Sequence, residues 1–484
     1  MSETVAADLR LHPATLAIRA LERLPEFVLG LPAAAYFIGD VGIGAVLAIA
    51  VVGLIGSFGY ALLYWSRFSY GLGEQQLVIE SGILSRNRRT IPFDRIQDVS
   101  LEQKLLARIF GVSIVRIETG SSGNDEGKLD CVSRAEADRL RDVIRRYRAE
   151  AAGGAAQPPE AGEARAEAPA LFAMNIGRVL LAGLFNFSLV FLAIIGAAWQ
   201  YLGNYVPVRY LDPELWIEDE RVGPIGSLSL AAALALLLVL VLIGMITGVA
   251  RTLARDYGFR LTRTESGLRR LRGLFTHTDV VIPLRRIQAA IISTGIVRRH
   301  FGWHELALQS LGSDGSDGTH HVAAAFARAG EIGPILDEID LPLPPGADAF
   351  ERVSPRSMWR SRIEAGAVLA VAIPVAGYIW PFGWLLLALV PLLAIVPVLQ
   401  FRAHGHCEQG GVIFVRHGVR RPKIVILPRA KIQSLTLRRN LLQRALGLAS
   451  LIVGTAGGSR ASPLKIDDLD NDIAHRLLVD WSNG

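Results

Sequence analysis

Three long apolar regions limit what this chain can fold into. They cover residues 24–65, 171–250 and 363–401, and each is long enough for two helices. A bilayer core of about 30 Å requires about 20 apolar residues per helix, and buried helices of soluble domains rarely stay free of charge over that length. Since 51% of the 484 residues are hydrophobic, the composition agrees with a membrane protein. We therefore predict about six transmembrane helices in three pairs.

Breaks within the apolar regions mark the turns of these pairs. Asp40 interrupts the first region, a polar loop at 203–224 divides the second, and Pro381 with Gly383 interrupts the third. The first helix is predicted to be short, and it contains Pro32. It could be re-entrant rather than spanning.

Basic residues at the ends of the helices predict the orientation, because short positive flanks tend to stay in the cytoplasm. The loop at 203–224 holds five acidic residues against two arginines and is predicted to lie outside. The N-terminal segment 1–23, the three soluble segments and the C-terminus then face the cytoplasm. Cys131 and Cys407 fall in these segments, where a reducing compartment leaves them as free thiols. The flanking residues are Arg10, Arg19, Arg23, Arg67, Arg178, Arg251, Arg255, Arg360, Arg362 and Arg402.

A fixed spacing recurs in the three soluble segments. A glycine precedes a proline by ten residues, the proline precedes a glutamine by five, and a second glycine follows the glutamine by fourteen. A basic residue and an isoleucine precede each glutamine. Such agreement without insertions indicates an internal repeat. The repeated residues are Gly82, Pro92, Arg95, Ile96, Gln97 and Gly111; Gly273, Pro283, Arg286, Ile287, Gln288 and Gly302; and Gly418, Pro428, Lys431, Ile432, Gln433 and Gly447.

Each position in this repeat has a structural interpretation. The first glycine lies between two candidate strands and predicts a β-hairpin, and the proline ends the second strand because it cannot donate to the ladder. The isoleucine is predicted to be buried. A short helical turn ending at the second glycine, one more strand and a C-terminal amphipathic helix complete each copy. We predict these last helices at 133–147, 324–339 and 467–481.

A small bent sheet or barrel capped by a C-terminal helix is an α+β, pleckstrin-homology-like (PH-like) outline. With its position after pairs of apolar helices, the pattern resembles the bacterial PH-domain membrane proteins of the YdbS/YdbT type, whose long members carry three such units. The resemblance covers nearly the whole chain. It implies PH-like domains at 66–148, 251–340 and 402–484 and a location in the bacterial inner membrane, with no catalytic residues to carry over. A flexible linker at 149–170 and a second linker at 341–362 would let the domains move relative to one another or assemble side by side at the membrane.

Known catalytic motifs are absent from the sequence, and we predict no catalytic, cofactor-binding or metal site. The best metal candidate is His404, His406 and Cys407, but strand alternation places Cys407 on the face opposite the histidines. A transporter would normally carry ionisable residues within the membrane. Asn186 and Ser188 are the strongest polar pair in the predicted spans, and such groups more often join neighbouring helices.

Basic residues cluster around the first hairpin of each copy. Anionic lipids attract such residues, although a merely solvated, positive-inside face has the same composition. Our leading hypothesis is a non-enzymatic scaffold whose PH-like domains bind a protein partner, anionic lipid or each other, with neither nucleic acid nor a small-molecule substrate. The alternative is a transport or envelope-defence component whose helix bundle handles a substrate. The candidate binding residues are Arg86, Arg88, Arg89, Arg269, Arg270, Arg272, Arg420, Arg421 and Lys423.

Overall fold

The computed structural model describes residues 8–19, 21, 43–83, 85–119, 127–151, 169–186, 230–265, 267–310, 320–379, 383–455 and 464–482. The described residues form three units, each built from seven strands and a C-terminal helix. We call the units 1 (residues 8–151), 2 (169–337) and 3 (351–482). In each unit, long apolar helices separate the first strand from the other six.

The strands follow the same order in each unit. Unit 1 contains β1 (Leu9–Arg10), β2 (Ser69–Leu72), β3 (Gln76–Ser81), β4 (Asn87–Pro92), β5 (Ile96–Gln103), β6 (Val112–Thr119) and β7 (Gly127–Ser133). Unit 2 contains β8 (Ala170–Ala173), β9 (Arg260–Thr264), β10 (Gly267–Arg272), β11 (His277–Ile282), β12 (Ile287–Ser293), β13 (Trp303–Ser310) and β14 (His320–Arg328). Unit 3 contains β15 (Glu351–Arg352), β16 (Gly405–Gln409), β17 (Val412–His417), β18 (Lys423–Pro428), β19 (Ile432–Arg438), β20 (Leu448–Thr455) and β21 (Leu464–Asp470).

The α-helices are of three kinds. The long apolar helices and their partners are α1 (Ile43–Arg67), α4 (Ile176–Leu184), α5 (Leu230–Asp256), α7 (Ser357–Ile379) and α8 (Leu392–Ala403). Two short helices follow the fifth strand of units 1 and 3, where unit 2 has a 3-10 turn at Arg298–Phe301; they are α2 (Leu105–Ile109) and α9 (Leu441–Leu446). The C-terminal helices of the units are α3 (Arg134–Ala151), α6 (Ala329–Asp337) and α10 (Asn471–Ser482).

Consecutive units share continuous β-sheets. The second half of unit 1 and the first half of unit 2 form one seven-stranded sheet in the order β7-β6-β5-β11-β10-β9-β8. A second sheet, β14-β13-β12-β18-β17-β16-β15, joins units 2 and 3 in the same way. A four-stranded sheet, β1-β2-β3-β4, and a three-stranded sheet, β19-β20-β21, lie at the two ends. Of the two arrangements expected from the linkers, side-by-side assembly agrees with these ladder hydrogen bonds, which join neighbouring units in the described residues.

The two junctions use the same antiparallel register. Leu101, nine residues after Pro92, lies opposite Asp279, four residues before Pro283. Ile292, nine residues after Pro283, lies opposite Ile424, four residues before Pro428. The sequence repeat is thus also a repeat of the contact between units.

Hydrophobic clusters show how the units are packed. The cluster of unit 1 runs from Leu11 to Ile144. The cluster of unit 2 includes Phe414 and Ile426 of unit 3, which are 1% and 0% exposed. The cluster of unit 3 in turn includes Ala289 of unit 2, 1% exposed. Units 2 and 3 therefore share both faces of their common sheet.

The repeat motif occupies the predicted positions. Gly82, Gly273 and Gly418 lie in the hairpins between the third and fourth strands with φ of 117°, 113° and 91°, a left-handed region that favours glycine. A Cβ at Gly273 would lie 1.8 Å from the carbonyl oxygen of Thr276, so the turn excludes other residues. The isoleucines of the first two triplets are buried, at 1% for Ile96 and 6% for Ile287, and Ile432 is half-buried.

Two helices in the described part of the chain are long and apolar enough to cross a membrane: Ser357–Ile379 and Leu386–Ala403. The third predicted pair falls on this stretch, with its break near Gly383. Residues 22–42, which hold the first predicted helix, and residues 187–229, which hold the predicted external loop, lie outside the described residues. The count of six remains a prediction.

Several predicted boundaries need correction. The C-terminal helices of units 2 and 3 begin at Ala329 and Asn471, because residues 324–328 and 467–470 complete the last strands. The 341–362 linker is packed rather than extended through solvent: Phe350 and Val353 are 7% and 4% exposed, and β15 joins the sheet beside β16. Strands β1 and β8 likewise use residues assigned to the N-terminal segment and the 149–170 linker, whose residues 152–168 lie outside the described chain.

Candidate functional site

The three basic residues predicted as a binding cluster in unit 2 are structural. Arg269 donates to both carboxylate oxygens of Asp279, at 2.8 and 2.6 Å. Arg270 is 1% exposed and donates to the carbonyl oxygen of Val322 at 3.2 Å. Arg272, 8% exposed, lies 3.5 Å from the buried carboxylate of Asp256. Arg270 and Arg272 are therefore buried and paired within unit 2, whereas the paired Arg269 side chain is still 34% exposed.

The corresponding residues of unit 1 are solvent-accessible. Arg86 and Arg88 are exposed and Arg89 is half-exposed. Arg88 lies 3.4 Å from Glu80 on the neighbouring strand, with both side chains facing water. Arg86 lines a cavity of about 260 Å³ together with Arg10 and Arg67. Three cations from β1, the end of α1 and the hairpin thus line one open site, together with the carboxylates of Asp8 and Glu80.

The hairpin of unit 3 is also solvent-accessible. Arg420, Arg421 and Lys423 are exposed. Lys423 begins β18 and lies opposite Ser293 of unit 2, so it marks the edge of the junction between these units. The backbone N–H of Thr294 donates to the carbonyl oxygen of Pro422 at 3.0 Å, which fixes the hairpin against unit 2.

The hairpins lie next to the ends of the apolar helices. In unit 2 the backbone N–H groups of Gly273 and Leu274 donate to the carbonyl oxygens of Tyr257 and Ala254, at the end of α5. In unit 1 the cavity lined by Arg86 is also lined by Arg67, the last residue of α1. In unit 3, Arg416 of β17 donates to the carbonyl oxygen of Arg402, near the end of α8, at 3.3 Å. In each unit the segment at the hairpin thus lies beside the end of an apolar helix.

A second basic cavity in unit 1 was missed by sequence reasoning. It has a volume of about 250 Å³ beside α1, and its lining includes Arg19, Lys104, Lys128 and Asp130. Arg19 and Lys128 contact Asp130 at 2.7 and 2.8 Å. Burial raises the pKa of the Asp130 carboxyl, but Lys128 and Arg19 outweigh burial and leave this pKa below its usual value. Its residues come from four separate elements, so no local motif marks the cavity.

In the metal candidate His404, His406 and Cys407, the last two are adjacent residues of β16. His406 is buried, and its Nε2 lies 3.7 Å from Glu351. Burial lowers the pKa of His406, with Glu351 opposing the shift. Cys407 packs against the cluster of unit 2, as strand alternation predicts. Over the described ranges, no group of three or more His, Cys, Asp or Glu side chains is placed to hold a metal ion.

Comparison with known proteins identifies the family. The family described as Bacterial PH domain matches residues 26–148, 172–340 and 365–482, one match for each repeat. The chain is 23% identical over 447 residues to the transmembrane protein YdbT of Bacillus subtilis (strain 168), with 87% of this chain and 86% of YdbT covered. No solved structure matches the chain. The sequence repeat, the three PH-like units and these matches agree, and the chain belongs to the bacterial PH domain family.

Proposed function

We propose that this protein is a non-enzymatic scaffold of the bacterial inner membrane, whose three PH-like units face the cytoplasm and whose first and third units bind anionic lipid headgroups. The observation that carries the proposal is the position of the exposed basic hairpins beside the ends of the apolar helices: Arg86 shares a cavity with Arg67 in unit 1, and Arg416, two residues before the hairpin glycine of unit 3, donates to the carbonyl oxygen of Arg402. A helix that crosses a bilayer ends at its surface, which would place these hairpins near the headgroups. Each Lys or Arg near an anionic leaflet gains about 1 kcal/mol. The basic helix ends, Arg67 and Arg402 among them, favour the cytoplasmic orientation.

The shared sheets support a scaffold rather than three independent binding modules. The two basic hairpins belong to units joined through unit 2 by ladder hydrogen bonds, so their spacing does not depend on a flexible linker. Two sites held at a fixed separation bind a surface with a higher effective concentration than two free sites. Unit 2, whose arginines are engaged internally, serves as the connection between them.

The test compares two sextuple variants of the full chain purified in mild detergent from its own membranes. One carries Gln at Arg86, Arg88, Arg89, Arg420, Arg421 and Lys423. The control carries Gln at exposed positions on two C-terminal helices and two short helices: Arg108, Arg134, Arg139, Arg146, Arg444 and Arg476. We expect mass spectrometry to show loss of co-purified anionic lipid in the first variant and retention in the control. Equal lipid in both variants would contradict lipid binding by the hairpins, and loss of a protein instead would indicate a protein partner.

A further inference from the structure

Among the strands at sheet edges in the described part of the molecule, one fourth strand and one fifth strand lack the partner that their equivalents have at the junctions. The fourth strand of a unit pairs with the fifth strand of the preceding unit in both junctions, β11 with β5 and β18 with β12. In the described residues, β4 of unit 1 is an edge of the four-stranded sheet, and β19 of unit 3 is an edge of the three-stranded sheet.

The side chains of β19 are more exposed than those of β12, which is covered by the next unit. In β12 all residues from Ile287 to Ala290 are buried, and only Ile291 and Ser293 are partly exposed. In β19, the equivalent strand, no residue is fully buried, and four of the seven are exposed. An open edge presents a row of backbone donors and acceptors that can pair with another chain.

We infer that β19 of one chain pairs with β4 of a second copy, so that the array of PH-like units continues from chain to chain. At both junctions a fourth strand pairs with the fifth strand of the neighbouring unit. Among the described residues, each chain has one fourth strand and one fifth strand without such a partner, and a second copy supplies the strand that each of them lacks. The register follows from the junctions within the chain. Leu437, nine residues after Pro428, lies opposite Arg88 of the next copy, and Arg438 lies opposite Asn87.

The polar character of these edges agrees with the junction between units 1 and 2. Strand β5 alternates apolar and polar residues through Val99, Ser100, Leu101 and Glu102, and it is nevertheless paired. Strand β19 has the same alternation through residues 435–438. In each case the charged residue opposite the leucine forms an ion pair within its own unit.

The charge opposite the leucine is negative at the existing junction and positive at the proposed one. Asp279, opposite Leu101, is paired with Arg269 on the neighbouring strand. Arg88, which would lie opposite Leu437, is paired with Glu80 on its neighbouring strand at 3.4 Å. Pairing of β4 with β19 therefore adds backbone hydrogen bonds without bringing an uncompensated charge to the leucine. A contact of this head-to-tail kind closes into a ring or extends as a filament.

The test uses two differently tagged full-length chains co-expressed in membranes, one with Asn87→Cys and the other with Arg438→Cys. Residues opposite each other in an antiparallel pair are close enough for a disulfide. We expect mild oxidation to give a linked product that carries both tags. An off-register control replaces Asn87→Cys with Arg89→Cys, which shifts the thiol by about 7 Å along the same strand face, and the double-tagged product should be lost.

A variant with Ser293→Cys and Lys423→Cys in one chain verifies folding and oxidation, because these residues lie opposite each other at the existing junction. Wild type, with buried Cys131 and half-buried Cys407, gives the background. A double-tagged product that depends on register supports the inference, and a chain carrying both edge cysteines should then form a ladder of linked copies. Absence of the product while the internal disulfide forms, or equal products in and out of register, overturns it.

Discussion

The two junctions between units share one register but differ in chemistry. Between units 1 and 2, three opposed residue pairs are polar or charged on at least one side, and Asp279 is held by Arg269 of unit 2 and Arg141 of unit 1. Between units 2 and 3, Ala290, Ile291 and Ile292 lie opposite Ile426, Val425 and Ile424. The difference shows that the backbone ladder defines the array, while side chains set how strongly neighbouring units are coupled.

How strongly two units are coupled depends on whether they bury apolar side chains in a common core. The cluster of unit 1 contains no residue of units 2 or 3 among the described residues, so its core can form without theirs. The clusters of units 2 and 3 each include residues of the other unit. Burial of apolar surface is the largest favourable contribution to folding. Units 2 and 3 should therefore unfold together, and unit 1 separately.

The largest effect is expected for Phe414→Ala. Phe414 is 1% exposed and belongs to unit 3 in sequence but packs in the cluster of unit 2. Truncation of a buried Phe costs about 3–5 kcal/mol. Hydrogen exchange of the full chain should rise in both units 2 and 3. Phe93→Ala, the matched change at 0% exposure in unit 1, should raise exchange in unit 1 alone. A rise confined to unit 3 after Phe414→Ala would contradict a shared core.

A smaller and more local effect is expected for Asp279→Asn. The carboxylate accepts from Arg269 and, at 3.2 Å, from Arg141, and its side chain is 18% exposed. Loss of hydrogen bonds to a charged group costs about 1.5–3 kcal/mol. Exchange should rise at β5 and β11 and stay unchanged at β12 and β18. Asp138→Asn, on the exposed face of α3, is the control. If Asp138→Asn raised exchange at β5 and β11 equally, the effect could not be assigned to the hydrogen bonds that Asp279 accepts.

The local repeat was predictable from the sequence, and the pairing between units was not. Glycine and proline act on their own turn, so Gly273 and Pro283 mark the hairpin and the strand end without information from elsewhere. Strands β1 and β15 contain two residues each, too few for any periodicity. A usable signal did exist in β12 and β18, since strands buried on both faces are continuously apolar rather than alternating.

The candidate site was predictable only as a set of charges. Arg269 lies shortly before the hairpin glycine of unit 2 and Arg86 shortly after that of unit 1, and composition does not show which hairpin has exposed arginines. The difference is one of burial. The acceptor of Arg270, next to Arg269, is a carbonyl 52 residues away in sequence, which no local pattern reveals. The sequence did contain Asp256 and Asp279, the acidic partners of Arg272 and Arg269, but not their distance in space.

Acid should weaken unit 3 before the junction between units 1 and 2. Burial and then His404 lower the pKa of His417 to about 4, so the unfolded chain, with a histidine pKa of 6.5, binds more protons as pH falls from 6.5 to about 4. Stability is then lost across that window. For Asp279, burial raises the pKa, but Arg269 and Arg141 outweigh it and leave the pKa below 3.8. Its contribution is therefore present above pH 3.8 and is lost only as pH falls through the lower folded value.

Exchange measured from pH 7 to pH 4 checks this order. Strands β16 to β18 should lose protection relative to β5 and β11 after correction for intrinsic exchange rates. The variant His417→Gln should reduce the pH dependence of unit 3, because it removes one of the groups that bind extra protons in the unfolded chain; His404 and His406, whose pKa values burial also lowers, would keep part of it. Loss of protection at β5 and β11 first would reverse the comparison of the two junctions.

The smallest effect is expected at a polar contact within the apolar junction. Gln309 Nε2 donates to Thr455 Oγ1 at 3.0 Å and joins unit 2 to unit 3. A neutral hydrogen bond of this kind contributes about 1 kcal/mol. Gln309→Ala and Thr455→Val, measured singly and together by hydrogen exchange at β20, should give a coupling free energy of that size or less. If the coupling instead approached the cost of Phe414→Ala, polar contacts rather than the shared core would hold units 2 and 3 together, and the contrast between the two junctions would lie in strength rather than in chemistry.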